Sequence, residues 1–238
     1  MTSPGRDPLP LTLVVLTGTT GLVDAVSYLG LGHVFTANMT GNVVFLGFAA
    51  AGVTGLSVAR SLVSLGAFLL GALIGGRIAT TYGDGPRRRW LLPVAIGEGT
   101  LLLVAAGSAV GVHAGSGSAG LYPVIVLTAV AMGLRNATIR HLAEPDLTTT
   151  VLTLTLTGLA ADSSLVGVTN PRPARRVGAV GAMLGGAALG AAMILHLSRP
   201  LVWPLVVAAV CVVAATALWA RHPSAVQPRA GVARQDGH

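Results

Sequence analysis

Six stretches of about twenty nearly uncharged residues each fix what this chain can become. They run roughly over 11–32, 61–81, 90–112, 119–139, 177–198 and 200–220. A helix rises 1.5 Å per residue, so about 20 apolar residues cross the roughly 30 Å hydrocarbon core of a bilayer. Composition agrees: of 238 residues, 53% are hydrophobic and 10% charged, with mean hydropathy +0.75. Soluble domains carry about 25% charged residues and leave much of their surface in water, where this much apolar surface has no place. The expected fold class is an all-α membrane protein of about six transmembrane helices, and a soluble enzyme is excluded.

The net charge of +7 resembles a nucleic-acid signal. All the basic residues are Arg, however, and they lie mostly between the apolar stretches and in the C-terminal tail, where membrane topology needs them. No basic face with interleaved aromatics is visible, so no nucleic acid is expected as partner. The single cysteine, Cys211, rules out an internal disulfide and a cysteine-rich metal site. His33, His113, His141 and His196 sit at segment ends without metal-ligand spacing. Neither a metal nor a cofactor is expected. Near the N-terminus, Arg6 precedes an apolar run from Leu9 to Val23, which could imitate a signal peptide. The run continues past Asp24 to Gly32 with no clear small-residue cleavage site, so it reads as a retained first helix.

Two further stretches are ambiguous, 34–52 and 147–161, both rich in Thr, Asn and Gly. Arginine counting decides between the topologies. With eight spans, Arg6, Arg60, Arg172, Arg175, Arg176, Arg221, Arg229 and Arg234 lie inside, against seven outside. With six spans, Arg60 and Arg199 alone lie outside and thirteen lie inside. The positive-inside rule selects six, with both termini cytoplasmic. The short stretches then enter from opposite sides without crossing, as re-entrant segments, surface helices or broken helices. Their Thr and Asn content suits an interior position, because non-helical backbone at membrane depth must be buried in protein or line a watery cavity.

The chain also repeats itself. Gly21-Leu22-Val23-Asp24-Ala25 matches Gly133-Leu134-Arg135-Asn136-Ala137, and the Thr-rich stretch around Thr40 returns around Thr153. Gly66, Gly71 and Gly75 return as Gly181, Gly186 and Gly190, and Pro93 as Pro204. Four matches in one order, at offsets between 111 and 115, point to two homologous halves. Residues 11–112 and 119–220 form the repeats, joined by a linker at 113–118. A cytoplasmic tail over 1–10 precedes them, and a tail expected to be disordered follows at 221–238. Three spans per half make the second half inverted, a recurrent plan of secondary transporters.

The run Gly21-Leu22-Val23-Asp24-Ala25-Val26-Ser27-Tyr28-Leu29-Gly30, followed by Val34-Phe35-Thr36-Ala37-Asn38-Met39-Thr40-Gly41-Asn42, resembles a signature of the YoaK-like family. The second-half run Met132-Gly133-Leu134-Arg135-Asn136-Ala137, then Asp146-Leu147-Thr148-Thr149-Thr150, is similar to its second signature. The chain departs from the pattern at Arg135, where Gln is expected, and at Leu154, where Gly is expected. The resemblance covers about 11–220. It implies a bacterial integral membrane protein of about six helices, and hence a multi-pass protein of the inner (plasma) membrane. The family, a domain of unknown function, implies no activity.

Asp24 and Glu98 are acids inside apolar spans. An Asp at mid-bilayer costs roughly 2.5 kcal/mol or more unless paired, solvated or protonated, so both are functional candidates. The bland reading of each is a structural hydrogen bond. Their repeat partners are Asn136 and the Ala209 region, so only the first half carries acids within its spans. Arg135 and Arg77 read as topology anchors at inner helix ends, and as a functional residue Arg135 would instead pair with an intramembrane acid. Gly71, Gly75, Gly181, Gly185, Gly186 and Gly190 form small-xxx-small spacings on the second and fifth spans, expected to pack these two helices together as a central pair, with dimerisation as the alternative. No phosphate loop, nucleophile elbow or zinc-protease motif is present, and no catalytic residue is expected.

These features favour a small-solute or ion transporter or channel with its site between the halves. Asp24, Asn38, Thr40, Asn42, Glu98, Asn136 and Thr153 are the candidate lining residues. Expected partners are membrane lipid and a small solute or proton, and oligomerisation stays open. A non-transporting scaffold or regulatory protein is the alternative, and an intramembrane enzyme ranks last.

Overall fold

The computed structural model describes residues 8–83, 85–114, 118–142, 152–162 and 173–226. Within them lie eight α-helices: α1 (Leu9–Gly30), α2 (Met39–Ala50), α3 (Val58–Tyr82), α4 (Arg87–Ser108), α5 (Leu121–Leu142), α6 (Leu152–Ala161), α7 (Pro173–His196) and α8 (Val202–Ala220). Local chemistry sets several ends. Pro8 precedes α1 and Pro86 precedes α4, where a missing N–H does no harm. Ser57 caps α3, its Oγ accepting from Arg60 N at 3.3 Å.

Six helices are long and apolar enough to cross a membrane: α1, α3, α4, α5, α7 and α8. The other two, α2 and α6, have 12 and 10 residues. They reach about 18 and about 15 Å at 1.5 Å per residue, well short of a bilayer core. They fall within the two stretches that the arginine partition keeps from spanning. The outward surface suits lipid, with Leu11, Leu69, Leu73, Leu184 and Leu195 all more than half exposed. Buried hydroxyls bond within their own helices, as Thr17 Oγ1 does to Leu13 O at 2.9 Å and Thr138 Oγ1 to Leu134 O at 2.8 Å. Such back-bonding satisfies a polar group where no water can.

The main helix pairs are α3 on α5, α1 on α7 and α4 on α8. Each joins a helix before residue 110 to one after 120, so the two segments interlock. Backbones touch at glycine. A Cβ on Gly21 would overlap Met183 O of α7, and one on Gly133 would overlap Phe68 O of α3. Gly71 lies likewise against Val130 O, and Gly186 against Gly18 O. A Cβ on Gly75 would lie 2.7 Å from Leu134 O, and one on Gly190 would lie 2.8 Å from Leu22 O. Moving α1 residues forward by 112 and α7 residues back by 115 turns every one of these α1·α7 contacts into its α5·α3 counterpart.

Three expectations need correction. The second and fifth spans, α3 and α7, are not a central pair, because each turns its glycines to a helix of the other segment. Gly181 and Gly185 do not pack helices together: a Cβ at either meets no atom within 4 Å. Glycines four residues apart share a face, and on α7 the face of Gly186 and Gly190 is the one that meets α1. The C-terminal tail also begins ordered. Pro223–Val226 form a 3-10 turn with Ala225 buried, and His222 Nδ1 lies 2.9 Å from Ser224 Oγ.

Adding a methyl where backbones touch forces the helices apart, at about 1–3 kcal/mol by analogy with overpacked cores. Gly133→Ala and Gly186→Ala should each lower the melting temperature of the detergent-solubilised protein. Gly185→Ala should leave it unchanged. Equal melting of all three variants would contradict this packing.

Candidate functional site

Asp24 lies in the second half of α1 and is 5% exposed. The chain leaves α1 through a tight turn, with Gly32 at φ 85° and His33 at φ 57°. Arg60 Nη1 donates to Gly32 O at 3.4 Å. The following segment then runs back along α1, burying Val34, Thr36 and Ala37. Ala37 N returns to the level of Asp24 and donates to its Oδ1 at 3.0 Å. Oδ2 is buried and has no hydrogen-bond partner among the described residues.

Asn42 and Ser64 hold this returning segment in place. Phe35 N donates to Asn42 Oδ1 at 2.9 Å, and Asn42 Nδ2 donates to Phe35 O at 2.7 Å. Ser64 Oγ of α3 donates to the same carbonyl at 2.6 Å. Asn42 thus pairs with an irregular backbone as a neighbouring strand would, which satisfies peptide groups that lipid cannot. It is fully buried, so it supports the site from behind and does not line it.

A cavity of about 480 Å³ opens beside Asp24. Thr20 and Asp24 of α1, Asn38 and Thr40 at the start of α2, and Thr153 at the start of α6 line it. The beginnings of both short helices therefore meet at one place. Phe35, Phe45 and Met183 complete its apolar wall. Four of the seven sequence-expected residues converge here: Asp24, Asn38, Thr40 and Thr153.

Glu98, Asn42 and Asn136 do not join them. Glu98 of α4 forms an ion pair with Arg135 of α5, both 2% exposed. The other arm of the guanidinium, Nη1, donates to Leu16 O and Thr20 Oγ1 of α1, each at 2.9 Å. Arg135 thereby ties α4 and α1 to α5, and through Thr20 it touches the wall of the central cavity. A second, narrow cavity of about 30 Å³ lies on the far side of the pair, between α1, α4, α5 and α8, and both charged residues line it. Asn136 is half-buried, its Nδ2 donating to Met132 O of its own helix at 2.8 Å. The segment that would face it, 143–151, lies outside the described residues.

Arg135 is no interfacial anchor but a buried counter-ion, which is the second of its two sequence readings; the signal for it is Glu98, an acid at mid-span that requires a cation. Among the described residues no group of three or more His, Cys, Asp or Glu could hold a metal.

A family model described as "Protein of unknown function (DUF1275)" matches residues 12–218. The chain belongs to this family. The UPF0700 transmembrane protein YoaK of Bacillus subtilis (strain 168) is 35% identical over 162 residues, which cover 64% of this chain and 66% of that relative. The match thus spans just under two thirds of the relative's length. No solved structure matches. Neither the family description nor the relative's name carries an activity, so the site rests on its own chemistry.

Removing one partner of a buried ion pair leaves an uncompensated charge, at about 3–5 kcal/mol. Glu98→Leu and Arg135→Met should each strongly lower the melting temperature in detergent. The double variant should recover most of the loss, since replacing both partners by apolar groups is often neutral. Additive losses would show that the pair is not coupled.

Proposed function

We propose that this protein is a multi-pass transporter or channel of the bacterial plasma membrane that carries a small polar or charged solute through the Asp24 cavity. One observation carries the reading. Three separate elements, α1, α2 and α6, converge Asp24, Asn38, Thr40 and Thr153 on one cavity, where Asp24 is an acid only 5% exposed. An acid kept inside a membrane bundle beside a cavity marks a solute or proton pathway by default. No catalysis is part of this reading.

The reading takes residues 11–112 and 119–220 as two inverted repeats with both termini cytoplasmic. The exchange of glycine contacts under the 112 and 115 offsets supports the repeat. The arginine partition supports the orientation. Trp90 at the start of α4 meets His141 at the end of α5 with ring centroids 5.8 Å apart, so these two ends share one side. Arg87, Arg88 and Arg89 share that end, which anionic lipid would contact. The Arg135–Glu98 pair then stands between the central cavity and the narrow inner one. Its opening would give the solute a route inward, and its closure would leave the cavity to the outer side.

Labelling tests this without knowledge of the solute. In a Cys211→Ser background, Thr40→Cys should react with a membrane-impermeant maleimide in both right-side-out and inside-out vesicles. Adding Glu98→Gln should raise the inward rate several-fold. A static scaffold would leave Thr40→Cys unreactive from at least one side in every background, and that result would end the transport reading.

A further inference from the structure

We infer that the solute held in the Asp24 cavity is a monovalent organic ammonium ion with a small apolar body. The inference deepens the transport reading and rests on its central site, though binding itself requires no transport.

Charge comes first. Asp24 is the acid on the cavity wall, and Arg135 reaches that wall only through Thr20 while paired with Glu98. Among the described residues, the charged side chains on the cavity wall therefore sum to one negative charge. The amide of Ala37 donates to Oδ1, the backbone amides of Thr36 and Asn38 also face the carboxylate, and none of these neutral donors supplies a positive charge. A cation with N–H groups supplies that charge, and a charge-assisted bond to a carboxylate is roughly twice as strong as a neutral one.

Size and wall chemistry then separate an organic from an inorganic cation. A bare metal ion needs several oxygens closing on it at about 2–2.6 Å. This cavity, of about 480 Å³, is far roomier than that and lies within the range of small-molecule sites. Much of the wall is apolar. Phe35 and Phe45 stack with centroids 5.7 Å apart and an interplanar angle of 15°, and Tyr28 extends the stack at 5.2 Å from Phe35. Gly41 backs the cluster, since a Cβ there would meet the Phe35 ring at 2.5 Å. Aromatic rings attract a desolvated cation and also cover its alkyl or aryl substituents. The thioether of Met183 adds a polarisable surface that adapts to such a body. Asn38, Thr40 and Thr153 supply oxygens for the remaining N–H groups.

The test is equilibrium binding to the full chain in detergent, with benzylammonium as the cation and benzyl alcohol as a neutral molecule of the same body. Benzylammonium should bind saturably at one per chain, and benzyl alcohol at least tenfold more weakly. Sodium at matched ionic strength should not displace it. Asp24→Asn keeps an acceptor for Ala37 N and should weaken benzylammonium at least tenfold. Phe45→Leu should weaken it about two- to fivefold, the equivalent of roughly 0.5–1 kcal/mol for one cation–π contact. If Asp24→Asn does not fold, the comparison of the two ligands on the native chain and on Phe45→Leu still decides. Equal binding of the alcohol, displacement by sodium, or unaltered binding in Asp24→Asn would each overturn the inference. Ammonium binding in a chain whose Thr40→Cys variant stays one-sided would sink transport and leave the site. Two-sided access with no ammonium binding would do the reverse.

Discussion

Backbone-to-backbone contact at glycine is the interaction on which the rest of this bundle depends. Lipid tails are as apolar as Leu, so no hydrophobic drive brings membrane helices together, and close packing decides their partners. Here Gly21 and Gly186 seat α1 on α7, while Gly133 and Gly71 seat α5 on α3. These contacts also aim the charged groups. Each residue turns a helix by about 100°. Arg135 follows Gly133 by two positions, so with Gly133 against α3 it points to the opposite side, across the bundle. There it finds Glu98 on α4 and the Leu16–Thr20 turn of α1. The glycine contact is thus upstream of the ion pair, and the ion pair is upstream of the separation between the two cavities.

A second constraint is the treatment of irregular backbone at membrane depth. The segment between α1 and α2 has peptide groups that no helix satisfies, and lipid would leave them bare. Asn42 takes both polar groups of Phe35, Ser64 doubles the bond to its carbonyl, and Asp24 takes the amide of Ala37. One side chain from each of α1, α2 and α3 therefore anchors the same short run. This fixes the start of α2 at the level of Asp24 and leaves Asn38 and Thr40 facing open space. The cavity exists because the loop returns, and the loop returns because those three side chains meet its backbone.

Much of this was legible in the sequence, for reasons tied to particular residues. The six spans follow from apolar length, and the failure of α2 and α6 to cross follows from where the arginines lie. Asp24 was readable because an acid in an apolar run is costly wherever it sits. The clustering of Asn38, Thr40 and Thr153 beside it was partly readable, since polar residues in a short apolar segment need an interior place. Asn42 was misplaced because composition cannot separate an amide that lines a cavity from one that satisfies a loop. Only the position of Phe35 opposite it decides. Gly181 and Gly185 were misplaced because four-residue spacing marks a face but does not say which face is covered. The choice between anchor and counter-ion for Arg135 turns on its depth: the proposed inner helix end lies further on, at Leu142, which leaves the guanidinium inside.

The charges also break the proposed repeat in a consistent way. The position matching Asp24 in the second half is Asn136, which bonds to its own helix and does not reach the central cavity. The position matching Arg135 in the first half is Val23, and Glu98 corresponds to the Ala209 region, all apolar. The glycine contacts therefore recur under the 112 and 115 offsets while the charges do not. A symmetric arrangement would place two acids near one axis, where like charges in a medium of low dielectric repel strongly. An amide at Asn136 removes that repulsion and leaves Asp24 the one carboxylate among the described residues that line the cavity. The remaining acid, Glu98, is neutralised by a cation drawn from the opposite half. The same exchange that makes Arg135 a counter-ion keeps its charge from cancelling that of Asp24, and this is what leaves the central cavity negative.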